Sequence, residues 1–213
     1  MHDTTRGAGA FGGDAVFGSK TDVENLKPVF DAAMKAGLNL WDTATVYGMG
    51  ESEKILGEAG FKVSAVQNHF SLLYRSSEKG GVLDYCKENG IEFWAYMVLE
   101  QGALSGKYNK ENPLPEESER GKKYNPVLEQ LEALTNEMTA IGKKYGASCS
   151  QIGIAWAIAK GTQPIIGATK ERHVIEAAEA AKIQLTAEEV NRLEALADAT
   201  GIDTRGGWEH SME

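Results

Sequence analysis

The sequence predicts an α/β fold built from parallel βα repeats. Predicted strands alternate with predicted helices along the chain of 213 residues, and such alternation is typical of a parallel sheet with right-handed crossovers. Hydrophobic residues make up 42% and charged residues 25% of the chain, as in an ordinary globular protein. No linker and no shift in composition divides the sequence, so we expect residues 1–213 to form a single domain.

Five short segments carry the pattern of strands. The strongly apolar IEFWAYMVL at residues 91–99 predicts a buried strand, and so does LNLWDT at residues 38–43. The glycine-rich segment at residues 7–12 is predicted to be a short strand or a strand end. The remaining strands are predicted at residues 62–70 and 163–168.

The helix predictions rest on capping residues and on apolar residues at helical spacing. Thr21 and Glu24 have the spacing of a capping box, which would place Pro28 deep in a helix, whereas a start at Asn25 puts Pro28 in the first turn, where its missing N–H costs little. Asn125 and Pro126 predict another start, with Asn125 as the N-cap, after a long polar loop at residues 107–124. Helices are expected from Asn25 to Gly37, at residues 52–58, 77–89, 125–145, 149–160 and 170–182, and after a capping box at Thr186 and Glu189.

Gly7, Gly9 and Gly12 match the GxGxxG pattern of dinucleotide-binding loops. That pattern needs a full strand before it and a helix directly after it. Only six residues precede Gly7, and Gly13 and Asp14 break the chain where a helix would begin. We therefore interpret the segment as a glycine-rich strand end near a ligand.

Charge and cysteine content exclude several classes of function. There are 22 Lys and Arg against 31 Asp and Glu, which gives a formal net charge of −9. An acidic chain lacks the basic face that binds nucleic acid or anionic membranes, and no run approaches the ~18 apolar residues of a membrane span. Cys86 and Cys149 form no disulfide framework and no metal-binding pattern. We expect a cytoplasmic protein without a metal site.

Four segments, each at the end of a predicted strand, together resemble the aldo/keto reductase family, whose fold is a (β/α)8 barrel. Residues 37–48 read GLNLWDTATVYG and residues 65–75 read AVQNHFSLLYR. Residues 95–108 read AYMVLEQGALSGKY and residues 164–170 read PIIGATK. The resemblance covers nearly the whole chain. It implies a TIM-type barrel, here incomplete with about five strands, and the reduction of a small carbonyl substrate by NADPH.

Asp42 and Tyr47 are the catalytic residues that the resemblance implies. Asp42 ends a predicted strand, where barrel enzymes place their chemistry. The hydroxyl of Tyr47 can protonate the nascent alkoxide as a general acid. The alternatives are a turn aspartate and a packed aromatic ring.

The resemblance also implies a set of cofactor-binding residues. Gln67 would hold the nicotinamide amide, and Tyr96 would stack on the nicotinamide ring, although Tyr96 also fits a core position. The basic residues Lys170, Arg172 and His173 cluster where a helix is predicted to begin. Cations are unfavourable at the positive end of a helix unless they bind a phosphate. An adenosine 2′-phosphate would explain them, and a solvated helix face is the alternative. The full set is Gln67, Asn68, Tyr96, Gln101, Gly102, Gly167, Ala168, Thr169, Lys170 and His173.

The sequence departs from the family pattern between residues 48 and 60. The family's catalytic tetrad is Asp, Tyr, Lys and His, with the Lys and His on the third and fourth strands. Here the Tyr47 loop runs almost directly into the strand that resembles the sixth, with an apparent deletion seam near residues 56–60. No lysine is a convincing substitute. His69 is the best substitute for the histidine, and a packed or surface histidine is the alternative.

The deletion has consequences for assembly and for function. Five parallel strands cannot close a barrel made for eight, so we expect a homodimer in which two chains cover each other's open side. One interpretation is a carbonyl reductase with impaired activity. Its tail residues Arg205, Gly206, Gly207 and Trp208 would help to close the substrate mouth, and a flexible tail is the alternative. The other interpretations are an inactive cofactor-binding or regulatory relative, and a deletion product that folds only as an oligomer.

Overall fold

The computed structural model describes residues 6–7, 23–45, 47, 50–58 and 60–206. The chain divides into two compact units, Met1–Val63 and Ser64–Glu213, which are treated separately below. Most of the predicted glycine-rich strand end and the predicted Trp208 anchor lie outside the described residues. The single domain with a seam near residues 56–60 stays a prediction.

In its described residues, the first unit pairs two short strands and carries two helices. Strand β1 (Arg6–Gly7) runs parallel to β2 (Trp41–Asp42), with Arg6 opposite Trp41. Helix α1 (Val23–Lys35) begins two residues before the predicted start, so Pro28 lies beyond the first turn, and α2 (Glu51–Glu58) follows β2. The prediction of a buried strand over residues 38–43 is wrong, because Asp42 is exposed and Leu40 is 44% exposed.

The second unit is built on a parallel sheet with the strand order β3, β4, β5. These strands are Ala65–His69, Glu92–Tyr96 and Gln163–Pro164. His69 lies opposite Tyr96, and Ala95 lies opposite Pro164. The predicted α/β class and parallel pairing are confirmed. Strand β4 is not buried on both faces as predicted, because Phe93 and Ala95 point into the core while Trp94 is 38% exposed.

Helices follow each strand of the second unit. The predicted helix 77–89 is broken at Gly80, and the predicted loop 107–124 ends in a helix capped by the Ser118 hydroxyl. The Asn125 side chain bonds both backbone groups of Leu114, at 2.9 and 3.0 Å, so it does not cap the following helix as predicted. The capping box at Thr186 is confirmed. The helices are α3 (Ser76–Lys79), α4 (Val82–Asn89), α5 (Glu119–Tyr124), α6 (Leu128–Tyr145), α7 (Cys149–Ala159), α8 (Glu171–Ala180) and α9 (Ala187–Ala199), with 3-10 turns at Glu100–Ser105 and Asn125–Val127.

A continuous hydrophobic core joins the sheet of the second unit to its helices. Phe70, which follows β3, stacks on Trp156 of α7 with ring centroids 5.3 Å apart. Leu134 and Met138 of α6 are fully buried in the same core. This packing holds the carboxyl ends of the three strands in place. Within the described residues, no helix is long and apolar enough to cross a membrane.

Candidate active site

Asp42 and Tyr47 lie in the first unit, at the end of β2 and in the turn that follows. Asp42 is exposed and Tyr47 is half-buried. The Tyr47 N–H donates to the Ala44 carbonyl at 2.8 Å, and the Thr43 hydroxyl donates to the buried Ser52 hydroxyl at 2.8 Å. These bonds tie the turn to the first residues of α2. Both predicted catalytic side chains therefore follow one short parallel strand, and their roles stay predictions.

The predicted nicotinamide residues lie in the second unit, Gln67 in the middle of β3 and Tyr96 as the last residue of β4. Gln67 is exposed and Tyr96 is half-buried. The Asn68 amide donates to the Ser77 hydroxyl at 3.0 Å, so Asn68 joins the strand to α3. Gln67 lies opposite Trp94, two residues before Tyr96, and side chains two residues apart on a strand point to the same face, so Gln67 and Tyr96 share one face of the sheet.

The loop after β4 has an unusual backbone. Met97, Glu100 and Gln101 have φ values of 62°, 46° and 53°, and they are all the non-glycine residues with positive φ in the described part of the chain. Such conformations are costly and persist only where the surroundings impose them. The Gln101 carbonyl accepts a hydrogen bond from the Arg120 guanidinium at 3.4 Å, and Gly102 follows it. The predicted residues Gln101 and Gly102 thus lie on a strained turn beside a cation that the sequence did not single out.

Beneath this loop lies a buried polar cluster that the sequence did not predict. The Glu100 carboxylate accepts hydrogen bonds from His69 Nε2 at 2.9 Å, Thr204 Oγ1 at 3.2 Å, Tyr124 OH at 2.6 Å and the Ser71 hydroxyl. All five side chains are buried. We call this group the Glu100 cluster. His69 is therefore a packed histidine. Of the two possibilities that the sequence left open for His69, the structure shows the packed histidine and not the substitute catalytic one.

The segment after β5 leads into α8. Gly167, Ala168, Thr169 and Lys170 are all exposed, and α8 begins at Glu171. The Thr169 N–H donates to His173 Nδ1 at 3.3 Å. One amide of the predicted phosphate site is therefore already bonded within the helix start.

The two predicted sets of residues belong to different units. Every proposed cofactor residue lies in the second unit, and the proposed catalytic pair lies in the first. Among the described residues, no group of His, Cys, Asp and Glu side chains is arranged to hold a metal ion.

Comparison with known proteins decides the family. The model of the aldo/keto reductase family matches residues 5–63 and 59–198. The chain belongs to the aldo/keto reductase family. The match falls in two segments that meet at residues 59–63, beside the predicted seam.

Three relatives illustrate how much of a family member this chain represents. The chloroplastic pyridoxal reductase of Arabidopsis thaliana is 35% identical over 151 residues, covering 70% of this chain and 41% of the plant protein. The versiconal hemiacetal acetate reductase of Aspergillus parasiticus is 26% identical, with 62% and 40% covered. An aldo-keto reductase of Gibberella moniliformis is 27% identical, with 84% and 55% covered. The chain thus spans about two fifths to one half of the length of these relatives.

Solved structures agree on the fold. A thermostable aldo-keto reductase gives a TM-score of 0.58 at 21% identity, with 83% of this chain and 55% of that chain covered. The glycerol dehydrogenase of Gluconobacter oxydans gives 0.56 at 20% identity, with 90% of each chain covered. With few strands in its parallel sheets, the chain has the architecture of an incomplete TIM-type barrel, as predicted.

Proposed function

We propose that this member of the aldo/keto reductase family is an NADPH-dependent reductase of small aldehydes or ketones. The observation that carries the proposal is the carboxyl end of the sheet β3, β4 and β5, where Tyr96 ends β4, Gln67 shares its face of the sheet, and an exposed segment follows β5. Ligands bind at the carboxyl ends of parallel strands in barrels and open α/β sheets alike.

The residues at this edge fit a nicotinamide nucleotide. Gln67 presents an exposed amide, which can both donate to and accept from a carboxamide. Tyr96 offers a half-buried ring for stacking, and the strained turn at Gln101 and Gly102 brings backbone groups to the same side. Bound NADPH would supply the hydride for the reduction.

The segment after β5 favours NADPH over NADH. The backbone amides of Gly167 and Ala168 precede a helix, and Lys170 and Arg172 are exposed cations at its start. Because His173 already bonds the Thr169 N–H, we assign the 2′-phosphate chiefly to Lys170 and Arg172.

Tyr47 and Asp42 would perform the acid chemistry. The Tyr47 hydroxyl donates a proton to the carbonyl oxygen, and the Asp42 carboxylate is its electrostatic partner. The lysine and histidine of the family tetrad are missing in this proposal, and a phenol without a neighbouring cation is a weak acid at neutral pH. We therefore expect slow turnover. The name of the plant relative makes pyridoxal the first substrate to test, with benzaldehyde as a second aromatic aldehyde.

A second candidate is a cofactor-binding relative without chemistry. One observation favours it: the proposed cofactor residues all belong to the well-packed second unit, so they do not depend on the unit that carries Asp42 and Tyr47. Such a protein would bind NADPH tightly and reduce nothing.

One experiment separates the two candidates. NADPH fluorescence is followed during titration of the full chain, and pyridoxal or benzaldehyde is then added. For a reductase, Tyr47→Phe lowers turnover about 100-fold or more at unchanged NADPH affinity, while Tyr85→Phe, at an exposed tyrosine of α4, leaves both unchanged. Binding without turnover supports the second candidate, and absence of binding contradicts both.

We further propose a homodimer in the cytoplasm. Leu40, Trp94 and Ile165 are exposed although they lie in or next to strands, and a second chain would cover such residues. Cys86 and Cys149 are free, and burial raises the pKa of both thiols, that of Cys149 to about 11, which suits a reducing compartment. Sedimentation should give twice the mass of 23.0 kDa, and a stable monomer contradicts the dimer.

A further inference from the structure

The Glu100 cluster is connected to Tyr96 through His69. The His69 ring stacks on Tyr74, with centroids 4.4 Å apart and planes 27° apart. It also stacks on Tyr96, with centroids 5.6 Å apart and planes 28° apart. His69 Nε2 is bonded to Glu100. The orientation of the His69 ring is therefore fixed by two ring faces and by one carboxylate.

The cost of this arrangement argues for a role. A buried carboxylate is unfavourable unless it is fully hydrogen-bonded, and an apolar residue at position 100 would need no such network. Glu100 also adopts a φ of 46°, a conformation that a side chain disfavours. The donors come from β3, the residues that follow β3, α5 and the segment after α9. Three separate parts of the second unit thus converge on one carboxylate.

We propose that Glu100 and His69 are positioning residues that fix the ring of Tyr96 for stacking on the nicotinamide. The proposal rests on the proposed function, in which Tyr96 is the stacking platform. The carboxylate holds His69 Nε2 as the donor, which prevents rotation of the imidazole. Because the imidazole and the Tyr96 ring are nearly parallel, the imidazole face limits the tilt of Tyr96.

The first test needs no cofactor. All seven tyrosines of the full chain are replaced by 3-fluorotyrosine, and the fluorine resonance of Tyr96 is assigned with Tyr96→Phe. Glu100→Gln keeps the shape of the side chain and an acceptor oxygen, while His69→Phe keeps a ring but loses the bond to Glu100. Both variants should shift or broaden the Tyr96 resonance. A resonance that stays unchanged in either folded variant overturns the proposal.

A matched control distinguishes positioning from general damage. Glu189 is also a buried carboxylate bonded to a tyrosine hydroxyl, Tyr145 at 2.7 Å, but it joins α9 to α6. Glu189→Gln should leave the Tyr96 resonance in place even if it lowers stability as much as Glu100→Gln. A shift of equal size in this control contradicts a specific role for the pair.

The second test uses NADPH. Glu100→Gln and His69→Phe should each raise the dissociation constant about two- to tenfold, the value of a well-oriented aromatic contact, and Glu100→Ala should raise it further. If Glu100→Gln and His69→Phe both bind NADPH with unchanged affinity while Tyr96→Ala binds it clearly more weakly, the positioning role is overturned. That outcome leaves the proposed stacking platform intact. Unchanged affinity in Tyr96→Ala instead contradicts the proposed stacking platform, and the fluorine experiment then still decides whether the pair fixes the ring.

Discussion

The two units of this chain differ sharply in how well they bury their hydrophobic residues. The second unit encloses a continuous core with residues from β3, β4 and most helices. In the described part of the first unit, Leu56 is buried and only Trp41, Ile55 and Phe61 pack partly against it. Val29 and Val63 there are 60% and 58% exposed. The predicted deletion would produce this contrast, since each repeat of a barrel is packed by the next.

Replacing one tryptophan in each unit should give the largest difference. Trp156 is fully buried and stacked on Phe70, while Trp41 is half-buried and stacked on Phe30 at 5.2 Å. Trp156→Ala should lower the free energy of unfolding by about 3–5 kcal/mol. Trp41→Ala should lower it by about 1–2 kcal/mol, because the side chain of Trp41 buries less apolar surface than that of Trp156. Urea denaturation followed by far-UV circular dichroism measures both free energies of unfolding. Equal losses in the two variants would contradict the difference in hydrophobic packing between the two units.

Two glycines with the same left-handed backbone give a smaller contrast. Gly106 has a φ of 71°, and a Cβ there would lie 2.9 Å from Cys149 Cβ, whereas Gly37 has a φ of 76° and nothing within 4 Å of a Cβ. Gly37→Ala should cost about 1 kcal/mol, from backbone strain alone. Gly106→Ala adds a clash within the core and should cost about 2–4 kcal/mol in total. Thermal unfolding of the two variants checks the order, and a Gly37→Ala loss as large as that of Gly106→Ala would show that the first unit is packed more tightly than its exposed residues indicate.

Local signals in the sequence predicted the fold well, and long-range packing explains the errors. The capping box at Thr186 is found because both partners lie within one turn of a helix. The apolar run around Trp94 predicted a strand correctly, but composition cannot tell whether a second layer covers the other face of the sheet. Asn125 looked like a cap, yet it bonds Leu114, eleven residues away.

The site shows the same division. Asp42, Gln67 and Tyr96 could be singled out because they lie in the carboxyl-terminal halves of predicted strands within family-like segments. The Glu100 cluster could not, since its donors lie 31 residues before Glu100 (His69), 24 residues after it (Tyr124) and 104 residues after it (Thr204). The one available signal was a carboxylate inside an otherwise apolar, glycine-containing segment.

The smallest predicted contrast concerns acid stability. In the second unit, burial alone would raise the pKa of Glu189, but hydrogen bonds from the Tyr145 hydroxyl, the Thr186 N–H and Lys144 outweigh it and hold the pKa below the ordinary 4.5. In the first unit, Asp31 forms only an exposed pair with Lys27 at 3.1 Å.

A carboxyl whose pKa is lower in the folded chain stabilises that chain at a pH above its unfolded value, and the contribution disappears as the pH falls through the folded value. The wild type should therefore lose about 1 kcal/mol more than Glu189→Gln between pH 6 and pH 3, because the glutamine amide does not titrate in this range. Asp31→Asn should follow the wild-type curve closely. Urea denaturation at several pH values measures the three curves, and a Glu189→Gln curve parallel to that of the wild type would mean that α6 and α9 are joined by packing alone.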